Sequence, residues 1–359
     1  MPDGLILTRD ELLSSHVYAS LQVEAGYRLH GGFLGDGRYA SPRTLARAPA
    51  VERWAQALID RGGTLIDVSR SILPTPIWPN YAQSKMLLEA GLDRTFWTSL
   101  TTTGIVEARG VALCAMTPPD FQPLVQEDLS VTLTGHLGKG LLWAHGADEG
   151  GDPADRTVRA HDAMWFAVRD MVFAKGLYPE PEVERVTRTE PERQMPQIPA
   201  AHENLVKFLM SLLVVEVRAE AFFTHCCDLL RDPELFVDRR AAAEHAAEII
   251  ERIRQDEAIH VRYLQVFLSE LRSFTFGAIG GGAIGGGAIR GGDVKGATFI
   301  DPIWDRVRGF VQPERQRTMY AAIQAEAGQK LGPEKAAAFL AELDKLGTQS
   351  ATGKARQAA

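Results

Sequence analysis

The stretch that decides the fold is Asp256-Glu257-Ala258-Ile259-His260, read together with the apolar residues on either side of it. Ile250, Ile253, Glu257, His260, Leu264 and Phe267 follow the i, i+3, i+4, i+7 rule, so a carboxylate and an imidazole lie on the helical stripe that otherwise faces a core. Two polar groups there need a partner. Burying an unpaired carboxylate is costly, whereas a hard metal ion supplies positive charge and accepts oxygen and imidazole donors from one helical turn. The plainer alternative pairs Glu257 and His260 with an arginine or a backbone group. A Glu-x-x-His spacing arises easily by chance, so a second set of donors is required.

Working outward, the preceding helical stretch carries Leu209, Leu212, Leu213, Glu216, Glu220, Phe223 and Cys227 on one face, which makes Glu216 and Glu220 core-facing as well. Two carboxylates one turn apart on an apolar stripe repel each other unless a cation or a shared proton intervenes. The alternative is that one of them pairs with Arg218 or Arg254 while the other lies at the helix edge. Further back, Val106-Glu107-Ala108-Arg109 echoes Val215-Glu216-Val217-Arg218, and Glu107 shares a face with Leu100, Thr103, Val111 and Cys114.

The periodicity predicts long helices over about 93–116, 124–147, 200–231 and 238–272, with a further helix near 156–175. Thr8-Arg9-Asp10-Glu11 has the form of a capping box, opening a helix that is expected to run to about Gly26. The domain reading is therefore N-terminal accessory helices and a cap over 1–85 and a metal-binding bundle over 86–275. A linker follows over 276–295, where Gly-Ala-Ile-Gly-Gly repeats with period five, then a helical tail over 296–346 and a disordered end over 347–359. The cap holds Trp54 and Trp78, with Trp97 nearby; these are candidates to close a substrate pocket, or plain core residues.

The 359 residues are 45% hydrophobic and 24% charged, an ordinary globular composition that excludes disorder as the dominant state. A net charge of -7 gives no bulk attraction to nucleic acid or anionic lipid. The longest apolar run, Phe208 to Val215, is too short to span a bilayer, and the N-terminus lacks the pattern of an export signal. Three cysteines, two of them adjacent, make a poor disulfide framework, so a cytoplasmic location is expected, with neither nucleic acid nor membrane as partner. No P-loop, dinucleotide-binding glycine fingerprint or nucleophile elbow is present.

With Glu107, Glu216 or Glu220, and Asp256-Glu257-x-x-His260 in order on successive helices, residues 93–272 resemble the ferritin-like di-iron carboxylate superfamily. The resemblance implies an all-α fold, a ferritin-like four-helix bundle with accessory helical segments at both ends. It further implies two iron ions per chain, or iron with manganese, and an oxidoreductase that activates dioxygen to oxidise or hydroxylate a small organic substrate, with a separate electron donor and a homodimer as conceivable assembly. Glu107, Glu216 or Glu220, Glu257 and His260 map onto the ligand pattern, and Asp256 onto a residue that orients a ligating histidine. The second helix departs from the pattern, because no Glu-x-x-His occurs between Glu107 and Glu216. His145 is the preferred imidazole there and His136, on the opposite face, its rival; Asp148 or Glu149 would supply the carboxylate, with His161 and Asp162 as further candidates. The competing reading is a non-catalytic ferritin-like bundle that binds metal or serves as an interaction scaffold.

Overall fold

The computed structural model describes residues 6–14, 20–73, 76–183, 193–277, 293–309 and 313–357, and these are mostly helical. In chain order the helices are α1 (Arg9–Leu12), α2 (Thr44–Asp60), α3 (Tyr81–Glu89), α4 (Arg94–Gly110), α5 (Leu141–Gly150) and α6 (His161–Val172). They continue with α7 (Ala200–Arg231), α8 (Arg240–Ser273), α9 (Ala297–Arg308), α10 (Pro313–Leu331) and α11 (Pro333–Gln357). Two short antiparallel pairs complete the described elements: β1 (Gln22–Glu24) with β2 (Tyr27–Leu29), and β3 (Thr275–Phe276) with β4 (Val294–Lys295).

The two longest helices, α7 and α8, pack along each other; α4 lies against α5 and α6, and α6 lies against α8. Their inward faces form two apolar clusters. One gathers Leu137, Leu141, Leu209, Leu213, Leu264 and Phe267; the other gathers Phe96, Trp97, Trp165, Phe223, Ile250 and Ile253. Between these clusters lies a band of buried polar side chains, among them His145, Glu149, His161, Glu257 and His260. A third, smaller cluster joins α3, α10 and α11 through Leu87, Ile323 and Leu343. No helix among the described residues is long and apolar enough to cross a membrane.

The structure corrects the helix expected over 124–147. Residues 122–139 instead form three short 3₁₀ turns, and α5 begins only at Leu141. Gly140 adopts φ 148°, which a side-chain-bearing residue rarely takes up, so the chain turns sharply there. α5 then packs against the end of α4 at a backbone separation only glycine permits: a Cβ on Gly146 would lie 2.8 Å from the Cys114 nitrogen and 2.9 Å from the Gly110 oxygen. This close approach carries the last turn of α5 alongside Glu107.

The N-terminal helix is also shorter than expected. The capping box of Thr8 and Glu11 forms, but α1 ends at Leu12, and β1 and β2 occupy the region up to Leu29. Ala25 and Gly26 both have positive φ, the geometry of a tight hairpin turn that ends any continuing helix. β2 holds the segment before α6 in place, since Arg159 donates its N–H to the Arg28 carbonyl at 2.9 Å and His30 donates to the Arg159 carbonyl at 3.0 Å. The Gly-Ala-Ile repeat falls almost entirely outside the described residues. α11 extends to Gln357, through most of the stretch expected to be disordered.

Candidate metal centre

Seven buried side chains from five helices converge in two overlapping groups. His145, Glu149, Glu216 and His260 form one; Glu107, Glu149, His161 and Glu257 form the other, and within each group one donor atom per residue lies within 4.8 Å of all the rest. Glu149 belongs to both. α4 supplies Glu107, α5 supplies His145 and Glu149 one turn apart, α6 supplies His161 from its first position, α7 supplies Glu216, and α8 supplies Glu257 and His260.

Each imidazole turns one nitrogen towards the carboxylates and the other towards a fixed polar group. His145 Nε2 lies 3.3 Å from both Glu149 Oε1 and Glu216 Oε1, while its Nδ1 is 2.8 Å from the Tyr263 hydroxyl. His260 Nδ1 lies 3.0 Å from Glu257 Oε2 and 3.3 Å from Glu149 Oε1, and its Nε2 meets Asp148 Oδ2 at 3.2 Å. His161 Nδ1 lies 3.1 Å from Glu257 Oε1, with its Nε2 3.2 Å from Asp256 Oδ2. The His145 and His260 rings stack, 3.7 Å apart. Holding the far nitrogen in this way fixes both the tautomer and the plane of a ligating ring.

The cap helix α2 closes the far side. Arg47, wholly buried, places Nη2 2.5 Å from Asp148 Oδ2 and 3.7 Å from Asp256 Oδ1. Arg43 donates its Nε–H to Asp148 Oδ1 at 3.1 Å, and Ser41 donates its hydroxyl to Asp256. The outer layer is therefore two aspartates against two arginines, balanced within itself. The inner layer is four glutamates and three imidazoles, and among the described residues no arginine or lysine pairs with it. Four carboxylates gathered in a dry site require about four compensating positive charges, as two divalent cations provide, or else protons held against their ordinary affinities.

The proton affinities of the seven side chains reflect that conflict. Burial, reinforced by Glu107 and Glu257, pushes the Glu149 carboxyl well above the ordinary range, and burial with Glu257 raises Glu216 to about 7. Burial opposes charging of His145, yet Tyr263 and Glu216 outweigh it and lift the imidazole to about 10. Burial and the neighbouring His145 lower His260 to about 4. Glu107 moves down despite burial, because the neighbouring Glu149, His161 and His260 favour its charged form.

Even so, within the seven-residue cluster four atoms have no hydrogen-bond partner among the described residues: His145 Nε2, Glu149 Oε1, His161 Nδ1 and Glu257 Oε1. All four point into the cluster. Orphaned buried donors and acceptors of this kind cost free energy unless a ligand satisfies them, and a mixed oxygen and imidazole donor set suits iron or manganese. The residues present fit a pair of such ions.

Of the residues singled out from the sequence, Glu107, His145, Glu216, Glu257 and His260 come together, and Asp256 sits behind His161. Glu220 stands apart. It is half-buried and hydrogen-bonded by Arg254 at 2.7 and 2.8 Å and by Arg70 at 2.9 Å, because a further 40° of helical rotation carries it to the seam with α8. His136 also lies elsewhere: Nδ1 is 2.8 Å from the Thr132 carbonyl, and Nε2 accepts the Leu7 N–H at 3.2 Å. Glu149 and His161, named only as alternatives, join the cluster, whereas Asp148 belongs to the layer behind it. Arg43, Arg47, Ser41 and Tyr263 escaped the sequence reading. Arg47 did leave a signal, an arginine on the same helical stripe as Ala50, Val51 and Trp54. Trp54 and Trp97 are buried, each within one of the two apolar clusters. Comparison with family models, with curated proteins and with solved structures finds nothing that matches this chain.

Proposed function

We propose that the seven-residue cluster holds two iron ions, or one iron and one manganese, and that the protein is an oxidoreductase of the ferritin-like di-iron carboxylate kind, using dioxygen to oxidise or hydroxylate a small organic substrate. The observation that carries this reading is that four donor and acceptor atoms without hydrogen-bond partners lie within two buried groups that share Glu149. Such ions, when bound, supply the one- and two-electron chemistry that side chains alone lack.

The chain's own residues do the rest. Glu107, Glu149, Glu216 and Glu257 neutralise the positive charge; His145, His161 and His260 contribute neutral nitrogen donors. Asp148, Asp256 and Tyr263 keep those rings in one orientation, and Arg43 and Arg47 pair with Asp148. The apolar clusters on both sides exclude bulk water, which preserves these electrostatic contacts at low dielectric.

Anaerobic loading with ferrous iron, followed by elemental analysis and measurement of oxygen uptake on exposure to air, tests the reading. About two metal ions per chain and iron-dependent oxygen uptake are expected. A folded protein that takes up no iron or manganese overturns it, and stoichiometric metal without oxygen uptake favours the non-catalytic bundle.

A further inference from the structure

A cleft separate from the metal cluster opens among the described residues. A cleft of about 880 Å³ lies on the opposite side of α7, between that helix, the segment from Arg70 through α3, the first turns of α4, and α10. Glu216 points into the cluster; Arg218, two positions on and so about 200° around the helix, points into the cleft with Phe222 and His225. The volume falls in the range of small-molecule sites.

The cleft has a lopsided chemistry. No aspartate or glutamate is among the described residues that line it, while three arginines are. Arg70 is already neutralised, its Nη2 donating to Glu220 Oε1 at 2.9 Å and to Thr224 Oγ1 at 2.6 Å. Arg218 and Arg315 are not: neither has a carboxylate partner among the described residues, and Arg218 Nη2 is buried with no hydrogen-bond acceptor. Burial, and then the neighbouring charge of Arg315, make the Arg218 guanidinium easier to deprotonate than usual, as expected for two like charges facing a shared space. His225 adds no cation, since burial keeps it neutral down to about 4; its Nε2 lies 3.1 Å from Ser84 Oγ. The remaining wall is largely apolar, including Leu87, Leu92, Phe96, Phe222 and Met319, with Trp78 at the rim.

We propose that this cleft binds a small organic acid with an apolar body, its carboxylate bridging Arg218 and Arg315 and its body lying along the Leu87, Phe96 and Phe222 wall. Two guanidiniums that line one cleft offer a carboxylate several N–H donors, a pairing in which arginine is favoured. One monoanion supplies the acceptor that Arg218 lacks and relieves the repulsion between the two arginines. The apolar wall buries hydrocarbon that would otherwise face water. The site stands independently of the metal reading, because it shares no residue with the cluster.

Titration of the full chain, calorimetric or by Trp78 fluorescence, with octanoate, dodecanoate and 3-phenylpropanoate, each paired with its uncharged alcohol, tests the proposal. At least one acid should bind about 10-fold more tightly than its alcohol, and Arg218→Gln and Arg315→Gln should each erase that preference, since a hydrogen bond to a charged group is worth about that factor. Glu216→Gln, which alters the metal cluster alone, should leave acid binding unchanged. Thermal melting and metal content of the two arginine variants should match the parent, which separates loss of the site from loss of the fold. Equal affinity for acid and alcohol, no binding of any acid, acid binding that persists in both arginine variants, or acid binding lost in Glu216→Gln each overturns it. Tighter binding of dodecyl phosphate than of any acid overturns the carboxylate assignment.

Discussion

Replacing Arg47 by methionine tests whether the cap is part of the metal centre or only lies over it. The guanidinium is wholly buried, 2.5 Å from Asp148 and 3.7 Å from Asp256, and methionine fills much of its volume without its charge. Breaking a buried ion pair from one side costs about 3–5 kcal/mol, because the surviving charge stays buried. Arg43 still donates to Asp148 and Ser41 to Asp256, so the lower end, about 3 kcal/mol, is the expected loss. For a chain of 359 residues that is a fall in Tm of about 4 °C. A second effect follows from geometry. Asp148 is held well below the usual carboxylate range against the pull of burial, by Arg47 and then Arg43, and it fixes the His260 ring through Nε2. Weakening that support should lower metal affinity by about 10- to 100-fold, the usual effect of disturbing the group behind a ligating histidine. Urea denaturation of the metal-free protein gives the first number and chelator competition for bound iron gives the second. Loss of stability with unchanged chelator competition would refute the coupling of cap to centre; no change in either would refute the buried pair itself.

Three more predictions rest on the same site. His161→Ala and His145→Ala should each lower the metal content, whereas His136→Ala should keep full occupancy and lower only stability, since its partners are Thr132 and Leu7; elemental analysis and thermal melts distinguish them. Glu220→Gln should retain its metal and lose only the contacts to Arg70 and Arg254, and metal loss in this variant would place Glu220 back among the donors. Metal affinity should fall as pH drops from about 10, and more steeply below about 7, because Glu149, Glu216, Glu257, His145 and His161 all hold protons more tightly than free groups do and must release them on loading. The metal-free protein should respond in the opposite sense to Glu216: a raised carboxyl binds more protons folded than unfolded, so its contribution to stability is lost as pH rises from 4.5 to about 7. Protein melts with and without metal across that range check both signs.

The parts of the fold that follow from sequence are those governed by long, uninterrupted periodicity. α7 and α8 run 32 and 34 residues without an internal glycine or proline, and their apolar stripes fix both length and facing. Between Leu124 and His145 the apolar residues keep helical spacing, yet Gly135, Gly138 and Gly140 fall within six positions, and a Cβ on Gly135 would lie 1.9 Å from the Leu129 carbonyl oxygen. Backbone freedom outweighs hydrophobic spacing there. The β1–β2 hairpin is likewise decided at one turn, Ala25-Gly26, inside a stretch whose side chains also suit a helix.

The same break explains why the site was only partly legible. Had residues 124–147 formed one helix, a single face would have had to supply every donor from that region, and His136 and His145 would have competed for it. In the structure the donors come from two shorter helices. His145 and Glu149 share a face of α5 by ordinary i, i+4 spacing, while His161 reaches the opposite group from the first turn of α6, at a place set by the pairing of Arg159 with Arg28. No local spacing relates His161 to Glu149, since the ten-residue loop between α5 and α6 is positioned by contacts with the N-terminal hairpin. Local periodicity therefore discloses donors that share a helix, such as Glu257 with His260. Charge balance discloses the rest: four glutamates in one dry band require either more protons or more cations than any single helix carries, and the search for their partners leads to the histidines and, behind them, to Arg43 and Arg47.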